Sequence, residues 1–201
     1  MLQMRKYSPE LDSSNRLLML LEQCCPDIPA VHHALERHTR LHHQLEMQND
    51  LHSRALAEWQ LALERRWRWE VAAQRIYIRI QHMIRDQFGS DSPQSQALTP
   101  AELVGTADEM LRELRRLYAT LLVCTPVPIS MATLQQLGDA RDNLAMALAE
   151  TQRCKRAWRQ VMLEQRMILS AYQRAFEETQ QELGAFMSPD VSSEMAALAF
   201  E

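Results

Sequence analysis

Residues 30–88 read "AVHHALERHTRLHHQLEMQNDLHSRALAEWQLALERRWRWEVAAQRIYIRIQHMIRDQF" and contain neither Pro nor Gly. These two residue types end helices most often, Pro because it lacks an amide proton and Gly because it is flexible. A continuous helix of this length would extend for roughly 88 Å, at 1.5 Å per residue. The stretch therefore predicts one very long helix, around which the rest of the chain must be arranged.

Apolar side chains recur along the second half of this stretch at the spacing that places them on one helix face. They are Trp59, Ala62, Trp69, Ala73, Ile76, Ile80 and Met83. The chain as a whole has only 4 Gly against 12 Met, and it has no alternating runs typical of strands. The sequence therefore predicts an all-α fold whose long helices bury coiled-coil-like seams.

Proline and glycine divide the rest of the chain into a pattern that occurs twice. A short helix capped by Ser8 ends near Cys25, "PDIP" forms a turn, and the long helix follows. After the linker 89–99, "TPAE" at 99–102 predicts another helix start, with Thr99 as its cap. A second turn near 124–130 leads to a second long helix, which extends to about Phe186 and could bend at Gly138.

Sliding the chain on itself by 99 residues aligns the two halves without a gap. Identical pairs include Glu10/Glu109, Arg16/Arg115, Cys25/Cys124, Pro29/Pro128, Leu45/Leu144, Met47/Met146, Trp59/Trp158, Arg75/Arg174 and Gln81/Gln180. We interpret this as a tandem duplication of a short-helix/long-helix hairpin that forms an elongated four-helix bundle. The predicted parts are repeats 1–88 and 100–187, the linker 89–99, and a tail 188–201 that is either a short amphipathic helix or disordered.

This pattern resembles, in architecture alone, the spectrin-type repeats. In that family the last helix of one repeat continues into the first helix of the next, and a Trp often lies in the seam. Trp59 and Trp158 fit that scheme, whereas the first and third helices are short for it.

Basic and aromatic residues alternate near the middle of the first long helix. Arg65, Arg68, Arg75 and Arg79 form a basic stripe with His82, and Trp67 and Trp69 lie among them. The second repeat has Glu164 and Met167 where the first has Arg65 and Arg68, so the charge is not shared. Trp69 also belongs to the apolar seam, and most of these aromatics are expected to serve packing. The predicted partner-binding residues are Arg65, Arg68, Arg75, Arg79, Trp67 and Trp69. The stripe is either a solvated face paired with acidic neighbours or a docking surface for an acidic partner or a phosphate backbone.

Six of the seven histidines lie between residues 32 and 52. His38, His42 and Glu46 are each four residues apart, so they share one helix face, and these side chains can bind zinc or nickel. The second repeat has Leu137, Arg141 and Ala145 at these positions. We interpret the stretch as a polar helix face, with the metal site as the alternative, and no cofactor is expected.

"RHTRLH", residues 37–42, resembles the Arg-x4-His signature of the HEPN ribonucleases, which are also helical. In that family the Arg and the His line a cleft formed on dimerisation and cleave RNA without a metal. The resemblance implies these roles for Arg37 and His42, with His38 as the polar residue after the Arg.

No nucleophile arrangement, phosphate-binding Gly loop or 18-residue apolar run occurs in the sequence. The sequence therefore predicts a non-catalytic, cytoplasmic interaction or assembly protein, with a protein partner or a homodimer docked on helix seams and on the basic stripe. A HEPN-like ribonuclease or another nucleic-acid-binding helical protein is the alternative. A membrane is not expected among the partners.

Overall fold

The computed structural model describes residues 9–24, 28–98, 105–123, 129–184, 193–195 and 197–198. The five helices in these ranges are α1 (Pro9–Gln23), α2 (Pro29–Phe88), α3 (Pro93–Leu98), α4 (Ala107–Val123) and α5 (Met131–Leu183). No strand occurs in the same ranges. The predicted all-α class is confirmed, and α3 adds a short helix within the predicted linker.

The ends of the helices follow from local chemistry. Pro is the first residue of α1, α2 and α3, where a missing amide proton has no cost. The helix α2 ends at Gly89, whose φ of 83° lies in the left-handed region. The predicted cap at Thr99 lies outside the described residues, and α4 begins later, at Ala107.

A reciprocal capping box sets the start of α4. The Thr106 hydroxyl accepts a hydrogen bond from the Glu109 amide (3.2 Å), and the Glu109 carboxylate accepts one from the Thr106 amide (3.0 Å). The Gly105 amide donates to the same carboxylate oxygen at 3.0 Å. The sequence "TADE" thus supplies the cap that was expected at "TPAE".

The chain divides into two compact units, and each unit takes a part of both long helices. Unit 1 contains residues 1–56 and 157–201, and unit 2 contains residues 57–156. The core of unit 1 is built from α1, the first part of α2 and the last part of α5; its members include Leu17, Leu21, Ala34, Leu45, Tyr172, Phe176 and Leu183. The core of unit 2 combines α4 with the other parts of α2 and α5; its members include Tyr77, Ile80, Leu114, Leu117, Leu137 and Leu144. Each core therefore contains three main helical segments, where the sequence predicted a bundle of four.

Residues from the C-terminal tail complete the core of unit 1. Residues 193–195 form one helical turn, and Met195 and Leu198 are buried in that core. Gln180 donates a side-chain hydrogen bond to the Met195 carbonyl oxygen at 3.5 Å. This part of the predicted tail is helical and packed.

The predicted seam of α2 is mostly present, with one exception. Ala62, Ala73 and Ile80 are buried, but Trp69 is 40% exposed and Trp67 is 64% exposed. Trp69, which the sequence placed in the seam, is therefore only partly packed, whereas Trp67 was not assigned to the seam.

Polar contacts between α2 and α5 occur within both units. In unit 1, Gln48 donates to the Val161 carbonyl oxygen (3.0 Å) and the Trp158 indole donates to His52 (3.1 Å). In unit 2, the Thr151 hydroxyl lies 3.1 Å from the Ala62 carbonyl oxygen. These hydrogen bonds connect α2 to α5 inside each unit, in addition to the apolar contacts of the cores.

No helix in the described ranges is both long enough and apolar enough to cross a membrane.

Candidate functional site

Arg37, a candidate catalytic residue, lies against α5 in unit 1. Its guanidinium donates to Glu178 (2.9 Å), to the Thr179 hydroxyl (2.6 Å) and to the Ala175 carbonyl oxygen (3.3 Å). Glu182 lies 3.5 Å from the same group. Since all four of these neighbours lie on consecutive turns of α5, Arg37 fastens the two long helices together within this unit.

His38 is fully buried beside Arg37, and the hydrogen bonds around it fix its tautomer. The Thr179 hydroxyl lies 2.8 Å from the Ala175 carbonyl oxygen and 2.8 Å from His38 Nε2. The Thr179 hydroxyl donates its single proton to the Ala175 carbonyl oxygen, so its oxygen accepts hydrogen bonds from both Arg37 and His38. The His38 proton is then on Nε2, and Nδ1 carries a lone pair with no donor among the described residues.

The surroundings of His38 favour its neutral form. Burial, followed by the charge of Arg37, lowers the pKa of His38 from 6.5 to about 4. The Tyr172 ring packs edge-on against the imidazole, with ring centroids 5.2 Å apart. Burial also raises the pKa of Tyr172 to about 12, although a hydrogen bond with Ser14 acts in the opposite direction.

His42 faces α1 within the same unit. Its Nδ1 lies 2.9 Å from the Ser14 hydroxyl, and its Nε2 lies 3.7 Å from Glu46. Ser14, His42 and Glu46 thus contact one another in the order of a catalytic triad. Ser14 is fully buried, however, so a substrate has no route to its hydroxyl. The hydrogen bonds of Ser14, Tyr172, His38 and Thr179 therefore connect three helices in the interior of unit 1.

This buried polar network explains the histidines better than the predicted chemistry does. His38 bonds to α5 and His42 bonds to α1, and no group of three metal-binding side chains is found among the residues that the structure describes. The candidate metal ligands His38, His42 and Glu46 are thus not brought together as one group. Arg37 and His42 are both engaged in helix contacts, an arrangement that gives the HEPN-like prediction no support.

The second candidate region is the outward side of α2 in unit 2. Glu64, Arg68, Val71, Arg75, Ile78 and His82 are spaced alternately by four and three residues and so form one row. The buried residues Ala73, Tyr77, Ile80 and Ile84 lie on the opposite side of the helix. We call this row, together with the adjacent Trp67 and Arg79, the outward face of α2.

Charged partners are scarce on this face. Arg68 approaches Glu64 at 4.0 Å, but both side chains are exposed, so the ion pair contributes little. Arg75 and Arg79 are exposed and form no ion pair within the part of the chain that the structure describes. Arg65 lies beside this face, near Glu150; the pKa of Glu150 is lowered mainly by Arg153 and slightly by Arg65.

No protein-family model, curated protein or solved structure matches this chain.

The sequence did not predict the buried hydrogen bonds of Ser14, Thr179 and Tyr172, although a signal for them exists. Ser14 precedes Leu17 and Leu21 at helical spacing on the buried side of α1. Thr179 follows Tyr172 and Ala175 in the same way on α5. A hydroxyl at a core position predicts a buried hydrogen bond, but only the fold shows that its partner is a histidine.

Proposed function

We propose that this chain is a non-catalytic interaction or assembly protein that docks a protein partner along the outward face of α2. The observation that carries the proposal is Trp67, which is 64% exposed in a row of arginines. Trp and Arg are the side chains most enriched among residues that dominate binding energy. An exposed Trp on the well-packed helix of a folded unit has no evident role in folding.

The same pattern of buried positions occurs in both halves of the chain, which supports the proposed duplication. Most residues of the outward face, in contrast, differ between the two halves. His38, Leu45, Gln48, Ala73, Tyr77, Ile80 and Ile84 are buried, and so are the residues 99 positions later: Leu137, Leu144, Ala147, Tyr172, Phe176, Thr179 and Leu183. The outward face repeats only in part, because Arg75 corresponds to Arg174 but Arg68 corresponds to Met167 and Trp67 to Arg166. We therefore assign the shared buried positions to the coiled-coil-like scaffold and the outward face, most of which is not shared, to recognition.

The apolar seams are less available for docking a partner than the sequence predicted. The last part of α2 packs its apolar side on α4 and α5, so its seam is covered within unit 2. A homodimer formed through exposed seams is therefore not required, and the outward face becomes the preferred surface.

Purification from the native lysate tests the proposal. The tagged chain would be compared with Arg68→Glu/Arg75→Glu/Arg79→Glu and with the matched control Arg159→Glu/Arg166→Glu/Arg174→Glu, whose arginines are exposed on α5. We expect one protein at near-equal stoichiometry with the wild type and the control, depleted at least tenfold with the test variant. Recovery of RNA without protein, read from the absorbance ratio, would contradict the proposal.

A further inference from the structure

We infer that the outward face of α2 binds an acidic amphipathic helix of another protein, an assignment that rests on the proposed docking function. The row from Glu64 to His82 extends over about 27 Å at 1.5 Å per residue, the length of a helix of five turns. It is part of an unbroken helix, so a partner helix can lie along it without either chain refolding.

Apolar contacts at the face fit a helix. Trp67 and Ile78 are 64% and 44% exposed, and Val71 lies between them, half-buried. These three residues are spaced by four and seven residues, the spacing at which one helix offers anchors to another. Leu, Ile or Met side chains of a partner would bury this apolar surface.

The charges at the face select an acidic partner. Arg68, Arg75 and Arg79 border the apolar residues, whereas Glu64 is the one acidic residue of the row and already approaches Arg68. Glu or Asp side chains beside the partner's apolar stripe would meet these arginines in the way that flanking charges set pairing in coiled coils.

A phosphate backbone fits the same face less well. Arg68 and Arg75 are about 10 Å apart along the helix axis, and Val71 occupies the space between them. Arg75 and Arg79 are likewise separated by Ile78. Phosphate groups make no favourable contact with aliphatic side chains. The formal charge of the chain is -4, which also opposes the binding of a polyanion at long range.

Charge-swapped peptides test the inference on the full-length protein. The probe is a fluorescein-labelled 21-residue helical peptide with Leu at the seam positions and Glu beside them; its twin carries Lys in place of Glu, and a 20-nucleotide single-stranded RNA is the third probe. Fluorescence anisotropy is measured for wild type, Arg68→Glu/Arg75→Glu/Arg79→Glu, Trp67→Ala and the control Arg159→Glu/Arg166→Glu/Arg174→Glu. Circular dichroism verifies that every variant is folded.

We expect the wild type and the control to bind the Glu peptide at least tenfold more tightly than the Lys peptide. The test variant should reverse this preference, and Trp67→Ala should weaken Glu-peptide binding about tenfold. Equal binding of both peptides, no binding of the Glu peptide, or RNA binding in its place would overturn the inference. If the lysate experiment yields a protein partner that is lost with the test variant but the Glu peptide does not bind, the proposed function stands and only the helical partner is wrong. A protein partner that the test variant retains would overturn the outward face as the docking surface, and this inference with it.

Discussion

His38 is a residue whose charge the fold opposes. It has no exposed surface, its neighbour Arg37 is a cation, and its Nε2 proton is donated to Thr179. Adding a second proton at Nδ1 would place a charge where no acceptor among the described residues faces it. The imidazole therefore remains neutral in unit 1, where it packs in the interior and donates a hydrogen bond.

Acid should destabilise unit 1 through this residue. The pKa of His38 is 6.5 when unfolded and about 4 when folded, so its contribution is present above pH 6.5 and is lost as the pH falls towards 4. The full loss is about 3 kcal/mol, at 1.36 kcal/mol per pH unit. Urea unfolding at pH 7 and pH 4.5 should show a larger drop for the wild type than for His38→Gln, which has no proton to gain. Equal drops would show that groups other than His38 dominate the acid response.

Gly138 packs closely against the ring of Tyr118, which leaves little room for a side chain at this position. A Cβ at this position would lie 3.2 Å from Tyr118 Cε2, and Arg141 covers the Tyr118 ring at 4.3 Å from its centroid. In an open helix Gly→Ala gains about 1 kcal/mol. We expect a smaller gain for Gly138→Ala in the wild type than in a Tyr118→Ala background, measured by a double-mutant cycle of unfolding free energies. Equal gains in both backgrounds would mean that the ring does not limit this position.

At the scale of the elements, the ends of the helices depend on a few polar or flexible residues. The cap of α4 is one of them, and its residues bond to one another more than to the rest of unit 2. We expect Thr106→Ala to lower the free energy of unfolding by about 1 kcal/mol, and Thr106→Ser to change it little. The comparison by thermal and chemical denaturation checks whether the hydroxyl is what matters; equal losses for both variants would show that it is not.

The end of α2 depends on backbone conformation alone. Gly89 has a φ of 83°, and a Cβ at this position would meet nothing within 4 Å. The cost of Gly89→Ala is therefore conformational, about 1 kcal/mol, and Gly89→Asn should cost less because Asn tolerates this region. Unfolding free energies measured for both variants test this order, and an Ala variant as stable as the wild type would contradict it.

The existence of the long helices could be predicted because Pro and Gly are scarce and their effects are local. Gly138 did not interrupt α5, since a single Gly costs a helix far less than the packing of a whole face provides. The start of α4 was missed because "TPAE" and "TADE" carry the same local signal. The exposure of Trp69 was missed because spacing alone does not say which side of a helix its neighbours cover.

At the scale of the whole molecule, burial along the long helices is uneven. Among the described residues of α2, none between Gln48 and Ala62 is fully buried, and α5 has none between Cys154 and Tyr172. We expect backbone amides of 49–61 and 155–171 to exchange with deuterium fastest within the interiors of these helices. Mass-spectrometric exchange at peptide resolution would test this, and uniform protection along α2 and α5 would contradict it.

Each unit takes residues from both sides of the segment 89–99, which has a consequence for how the protein is made. Unit 1 joins α1 to Tyr172, Phe176 and Leu183, which lie in the last part of α5. A ribosome therefore releases the N-terminal segments long before their core can close. Leu17, Leu21 and Ala34 stay open to chaperones until this part of α5 has been synthesised. Cutting the gene at the linker 89–99 should accordingly give two fragments that fold only when they are expressed together.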